Sequence, residues 1–220
     1  MGWRRNLLLM VGSGVGYYVL LHPSNLFWHP PAGLRFAFLA LLPVRLWIWP
    51  IAGELVAFIV RGIGADSAGG FPFALFIFAV HRLLALSGPL YLHRSPRPLR
   101  DGSPESLAHV LATMLLTSII CAPVAMWWFF PYLGTAIPAM PMSIFALNIV
   151  LGDYIGMLWI VPPALMIFRY RPSTTVLRTW LHDIPIVLVP SLTLYALVTL
   201  NASTQTYFFA TLLCVLPVIY

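Results

Sequence analysis

Asp153 and Arg82 are ionisable residues set deep in apolar runs. Asp153 lies in Asn148-Ile149-Val150-Leu151-Gly152-Asp153-Tyr154, and Arg82 lies in the run 71–92. Each is about eleven residues from the start of its run, or about 16 Å at 1.5 Å per residue. An isolated charge at that depth in a low-dielectric medium is costly. Equal depth predicts an Arg82–Asp153 pair. Such a pair is either a structural tie that fixes the packing or the polar centre of a ligand-binding or signalling site. Glu54, after Gly53, is either a carboxylate reaching for interfacial water or the floor of a polar cavity, meeting Arg45 at the same end. His81 adjoins Arg82, but consecutive helix positions face different ways, so a hydrogen-bonded histidine is expected there rather than a metal ligand. Asn148 and Trp159 share the run of Asp153. Trp28 and Arg35 stand in the stiff segment 27–35, where an aromatic ring and a cation could close over a pocket or anchor the chain at the interface. These eight residues, Asp153, Arg82, Asn148, Glu54, Trp28, Arg35, Trp159 and His81, are the expected ligand-binding set.

No other chemistry is legible. The six histidines include no i, i+4 pair, and Cys121 and Cys214 sit in apolar stretches without metal-ligand spacing. No metal and no cofactor is therefore expected. No nucleophile-and-base set, phosphate-binding loop or paired catalytic carboxylates can be identified, so these residues give no catalytic site. Gly12, Gly14 and Gly16 resemble part of a dinucleotide fingerprint, but no strand precedes them. Close helix packing is the better reading.

The elements that must position these residues follow from composition. The chain has 220 residues, 60% of them hydrophobic and 8% charged, with a mean hydropathy of +0.91. A soluble domain is about 25% charged; this chain reads as a polytopic, all-α membrane bundle. Apolar runs at 6–21, 33–46, 49–60, 71–92, 106–130, 142–168, 184–200 and 207–220 predict about eight spans. The second and third are short for a full crossing, and Pro162-Pro163 predicts a kink in the sixth.

All twelve basic residues are arginines. With both termini cytoplasmic, nine fall in cytoplasmic segments and two, Arg35 and Arg61, outside, with Arg82 within a span. That is the positive-inside bias. The net charge of +6 is spread between apolar runs rather than gathered on one face, which argues against nucleic acid as a partner.

Three stretches carry a resemblance. Trp28-His29-Pro30-Pro31-Ala32-Gly33-Leu34-Arg35, Trp49-Pro50-Ile51-Ala52-Gly53-Glu54, and Leu151-Gly152-Asp153-Tyr154-Ile155-Gly156 followed by Pro162 resemble, in order, the WPPAG, WPxxxG and LGDxxGxxxxxP elements of the bacterial membrane-associated sensor domain MASE, first type. A His stands inside the first element, the second is one residue shorter between Pro and Gly, and Glu54 occupies a position commonly small or apolar. The stretch from His29 to Arg35 is also similar to the sensor region of hexose-phosphate-type histidine kinases. The resemblance implies one sensory domain over residues 1–220, in the bacterial inner membrane, of the kind that commonly works as a homodimer. It implies a C-terminal cytoplasmic output domain outside this chain, usually a histidine kinase, diguanylate cyclase or phosphodiesterase; a kinase would act on a response regulator. The expected function is sensing a small, partly apolar or aromatic ligand within the bundle. The alternatives are a sensor coupled to a membrane protein partner with no ligand of its own, or a small transporter.

Overall fold

The computed structural model describes residues 2–21, 29–61, 70–95, 104–136, 142–165 and 167–168. All belong to one compact unit, Met1–Tyr170; a second unit, Arg171–Tyr220, lies outside the described residues. So do Trp28, Cys214 and the expected spans 184–200 and 207–220.

Among the described residues the chain forms seven α-helices and no strand: α1 Gly2–Leu21, α2 Pro30–Leu41, α3 Ile48–Val60, α4 Gly70–Ala85, α5 Ser87–Arg94, α6 Pro104–Ala136 and α7 Met142–Leu165. Six of the eight apolar runs are therefore helical. Three stretches are long and apolar enough to cross a membrane: Gly70–Arg94, Ala108–Trp127 and Met142–Leu165. The 12-residue α2 and 13-residue α3 are about 18 and 20 Å long, less than the ~30 Å hydrocarbon core.

Local sequence explains the boundaries. Pro30 and Pro31 open α2, where their missing amides break no helical bond. Leu42 ends it in an extended conformation (φ −89°, ψ 143°), because the ring of Pro43 disfavours the helical region for the residue before it. A 3-10 turn, Val44–Leu46, links α2 to α3. There the Trp47 indole donates to the Leu42 carbonyl at 2.9 Å. The fourth expected span is divided at Leu86, since Pro89 has no amide and crowds the Ala85 carbonyl. The Leu86 amide is shared between the carbonyls of Arg82 (3.2 Å) and Leu83 (3.3 Å). By contrast, α7 continues through Pro162 and Pro163 to Leu165, and α6 runs on past Phe130 to Ala136.

The closest packing joins α1 to α3 and α2 to α7. Both contacts are made through glycine, as membrane helices without a hydrophobic drive to associate require. Gly53 of α3 lies on the backbone of Met10 and Gly14 in α1, with no room for a Cβ. The Ser13 hydroxyl crosses to the Pro50 carbonyl at 3.2 Å. Gly33 of α2 lies on the Gly156 carbonyl of α7, and Gly156 on the His29 carbonyl. The expected packing role of the α1 glycines thus holds for Gly14 and for Gly16, which lies against Leu34 of α2, whereas Gly12 faces open space. The main apolar core gathers Phe36 and Ala40 of α2, Val110 and Met114 of α6, and Met157 and Val161 of α7.

Candidate functional site

Helices α2 and α4 converge on one carboxylate of α3, and α1 joins them through Tyr17. Glu54 is mid-way along α3 and 2% exposed. Its Oε2 accepts from Arg35 Nε of α2 at 2.9 Å. Arg82 Nε of α4 lies 2.7 Å from the same oxygen, although its N–H is not directed at it. Arg82 instead donates through Nη2 to the Tyr17 hydroxyl of α1 at 2.7 Å. Its guanidinium also stacks 4.2 Å from the centre of the Phe78 ring, and the Tyr17 ring lies 5.4 Å from Arg82 and 6.0 Å from Arg35. Aromatic faces carry partial negative charge, so these rings complement the cations while excluding water. Arg35 Nη2 is buried and has no hydrogen-bond partner.

A second polar contact stands on α7. His29 Nδ1, just ahead of α2, is 2.7 Å from Asp153 Oδ1. The His29 amide donates to the Gly152 carbonyl at 3.1 Å. The start of α2 is thus seated on Gly152, Asp153 and Gly156 together: two of the three sequence elements that carried the resemblance dock on each other.

Between the two contacts is a cavity of about 10 Å³ lined by Ala32, Arg35, Phe36, Ala85, Thr117, Cys121, Asp153 and Met157. That is close to the lower limit for one water. Thr117 belongs to a buried row on α6, in which Thr113 donates to the His109 carbonyl and Thr117 to the Thr113 carbonyl, both at 2.7 Å. Such bonds to the preceding turn satisfy a hydroxyl proton locally and leave the oxygen able to accept.

The structure brings Arg35, Glu54 and Arg82 into one cluster and places Asp153 on the adjoining cavity. It does not form the expected Arg82–Asp153 pair. Equal depth is necessary for a pair but does not make two helices neighbours; α3 brings Glu54 to Arg82, and the docking of α2 on α7 brings His29 to Asp153. Arg35 is buried within α2. Arg45 is exposed and does not meet Glu54. His81 is not turned away from Arg82: the long side chain curls back, and Nη1 lies 2.8 Å from His81 Nδ1. A guanidinium can only donate, so His81 accepts. Asn148 is buried one turn before Gly152, while Trp159 is half-buried and does not line the cavity. Sequence reasoning missed His29 and Tyr17. The His inside the first element was the available signal for one; nothing marked the other. Among the described residues no group of three His, Cys, Asp or Glu side chains could hold a metal ion.

Two buried arginines beside two buried carboxyl groups, in a helical bundle that exposes many large apolar side chains, define a helical membrane protein with a polar cluster in its core. A family model described as MASE1 matches residues 7–220, and the chain belongs to the MASE1 family, the membrane-associated sensory domains of signalling receptors. No curated protein and no solved structure matches it.

Proposed function

We propose that this membrane sensory domain binds a small, partly apolar or aromatic ligand at the cavity beside Arg35 and passes the signal to a C-terminal cytoplasmic output domain, most simply a histidine kinase acting on a response regulator. The observation that carries the reading is the unpartnered Arg35 Nη2, in a residue lining a cavity shared with Asp153 and walled by Phe36 and Met157. Buried donors are normally satisfied, and a few polar groups among apolar walls are what orient a ligand. Arg35, Glu54, Arg82 and Asp153 are the proposed recognition residues, with His81, Asn148, Trp28 and Trp159 supporting them. The domain sits in the inner membrane with eight spans and both termini cytoplasmic, and works as a homodimer.

Signalling requires the ligand to favour one helix arrangement over another. The cavity holds about one water, so a ligand enters by parting α2 from α4 and α6 and selects the parted state. Thermal-shift screening of small aromatic compounds on the detergent-solubilised chain tests this. Hits are expected whose stabilisation disappears in Arg35→Gln and Asp153→Asn. Stabilisation that persists in both variants places the ligand elsewhere.

The smallness of the cavity favours a second reading, in which a membrane protein partner rather than a ligand shifts the helices. Co-purification with one defined membrane partner, together with an empty ligand screen, is its expected signature.

A further inference from the structure

We infer that the cavity beside Arg35 takes a neutral group that carries a hydrogen-bond acceptor and a donor side by side, as a carboxamide does. The inference rests on the reading of this cavity as the ligand site and adds the chemistry of the ligand.

The groups lining the cavity are complementary to such a guest. Arg35, which lines the cavity, carries a donor without a partner, Nη2. Asp153 supplies acceptors; a carboxylate has about four lone-pair sites, and His29 takes one of them. The Thr117 hydroxyl has committed its proton to the Thr113 carbonyl, so it too can only accept. A guest must therefore accept from one wall and donate to another. A guest that only accepts makes no use of the spare acceptor capacity of Asp153 and Thr117, and one that only donates leaves Arg35 Nη2 without a partner.

Charge narrows the class further. Among the buried charged side chains around the cavity, Arg35 and Arg82 are balanced by Glu54 and Asp153, and the partly exposed His29 lies 2.7 Å from Asp153. An anionic guest adds an uncompensated negative charge in a low-dielectric core, and a cationic one an uncompensated positive charge. A single water meets the same demands and suits the size of the cavity. A carboxamide on an apolar body meets them once Ala32 and Ala85, the small residues of the wall, have parted.

Three isosteric probes of different charge separate the possibilities: benzamide, benzoate and benzamidine. The readout is alkylation of Cys121, a cavity residue, by N-ethylmaleimide, followed by mass spectrometry in the Cys214→Ser chain in detergent. At ten times its dissociation constant, benzamide is expected to slow alkylation about tenfold, with benzoate and benzamidine inert. Asp153→Asn leaves one positive charge in excess, so benzoate is expected to become the protecting probe. Arg35→Gln leaves one negative charge in excess and moves the preference to benzamidine. If Cys121 reacts only when the chain unfolds, or one variant fails to fold, the rise in melting temperature with the three probes gives the same ranking on the chains that remain. Protection by benzoate or benzamidine in the unsubstituted chain, with benzamide inert, overturns the carboxamide class while leaving a ligand site. Protection by none of the three overturns the ligand site as well and leaves a structural water.

Discussion

His29 and Asp153, 124 positions apart in sequence, meet at 2.7 Å across the junction of α2 and α7. The contact closes the same seam on which Gly33 lies against Gly156, and this seam sets where Arg35, six residues further along, is held. His29→Ala leaves a buried carboxylate short of a donor, at a cost of about 1–3 kcal/mol. Asp153→Asn keeps an acceptor for the imidazole and is expected to cost less than Asp153→Ala. Thermal denaturation of the three variants in one detergent checks that order; equal losses for Asn and Ala contradict the hydrogen bond.

The glycine contacts predict a sharp contrast within one residue type. Gly156→Ala puts a methyl group into the His29 carbonyl and the Pro30 nitrogen, both backbone atoms that cannot turn aside. A loss of about 3 kcal/mol or more is expected, as for other overpacked or strained sites. Gly12→Ala meets nothing and is expected to be neutral or to gain up to about 1 kcal/mol from helix propensity. Unfolding midpoints of the two variants decide this.

Glu54 compensates two cations where Arg35 compensates one anion in company. Glu54→Gln leaves two buried guanidinium groups without their carboxylate and is expected to cost about 3–5 kcal/mol, the scale of breaking a buried pair. Arg35→Gln leaves Arg82 beside Glu54 and is expected to cost less. The double variant should cost less than the sum of the single losses, because the two residues share one contact. Denaturation of the three chains provides the cycle.

Tyr17→Phe removes the hydroxyl that accepts from Arg82 Nη2 but keeps the ring beside both guanidinium groups. A hydrogen bond to a charged group contributes about 1.5–3 kcal/mol, and a loss in that range is expected. Tyr17→Leu, which also removes the ring, is expected to lose more. A Phe variant as stable as the parent chain contradicts the contact.

Orientation can be read at two exposed arginines on opposite sides of α3. With the N-terminus cytoplasmic, a cysteine in place of Arg45 is expected to react with a membrane-impermeant maleimide only in inside-out vesicles, and one in place of Arg61 only in intact spheroplasts. The reverse pattern inverts the topology.

Much of this was legible in the residue string. An apolar, lysine-free chain with eleven of its twelve arginines outside the cores of its apolar runs could only be a membrane bundle, and among the described residues the helices formed where those runs lay. The three motif stretches and the charges Arg35, Glu54, Arg82 and Asp153 also stood out, because an ionisable group in an apolar run is conspicuous by its cost. The break at Leu86 was missed although Pro89 announced it. Pro162 and Pro163, where a kink is expected, lie inside a helix that continues to Leu165, because proline can bend a helix without ending it.

Partnership was decided by tertiary structure alone. Equal depth suggested that Arg82 would meet Asp153, yet the closest glycine contacts, Gly14 with Gly53 and Gly33 with Gly156, determine which helices lie side by side. Once α2 is seated on α7, His29 reaches Asp153, and Glu54 falls between Arg35 and Arg82. Hydropathy and helical periodicity describe each helix by itself. The partner of a buried charge depends on how closely two backbones can approach, and that is a property of pairs of helices, which no single stretch of sequence contains.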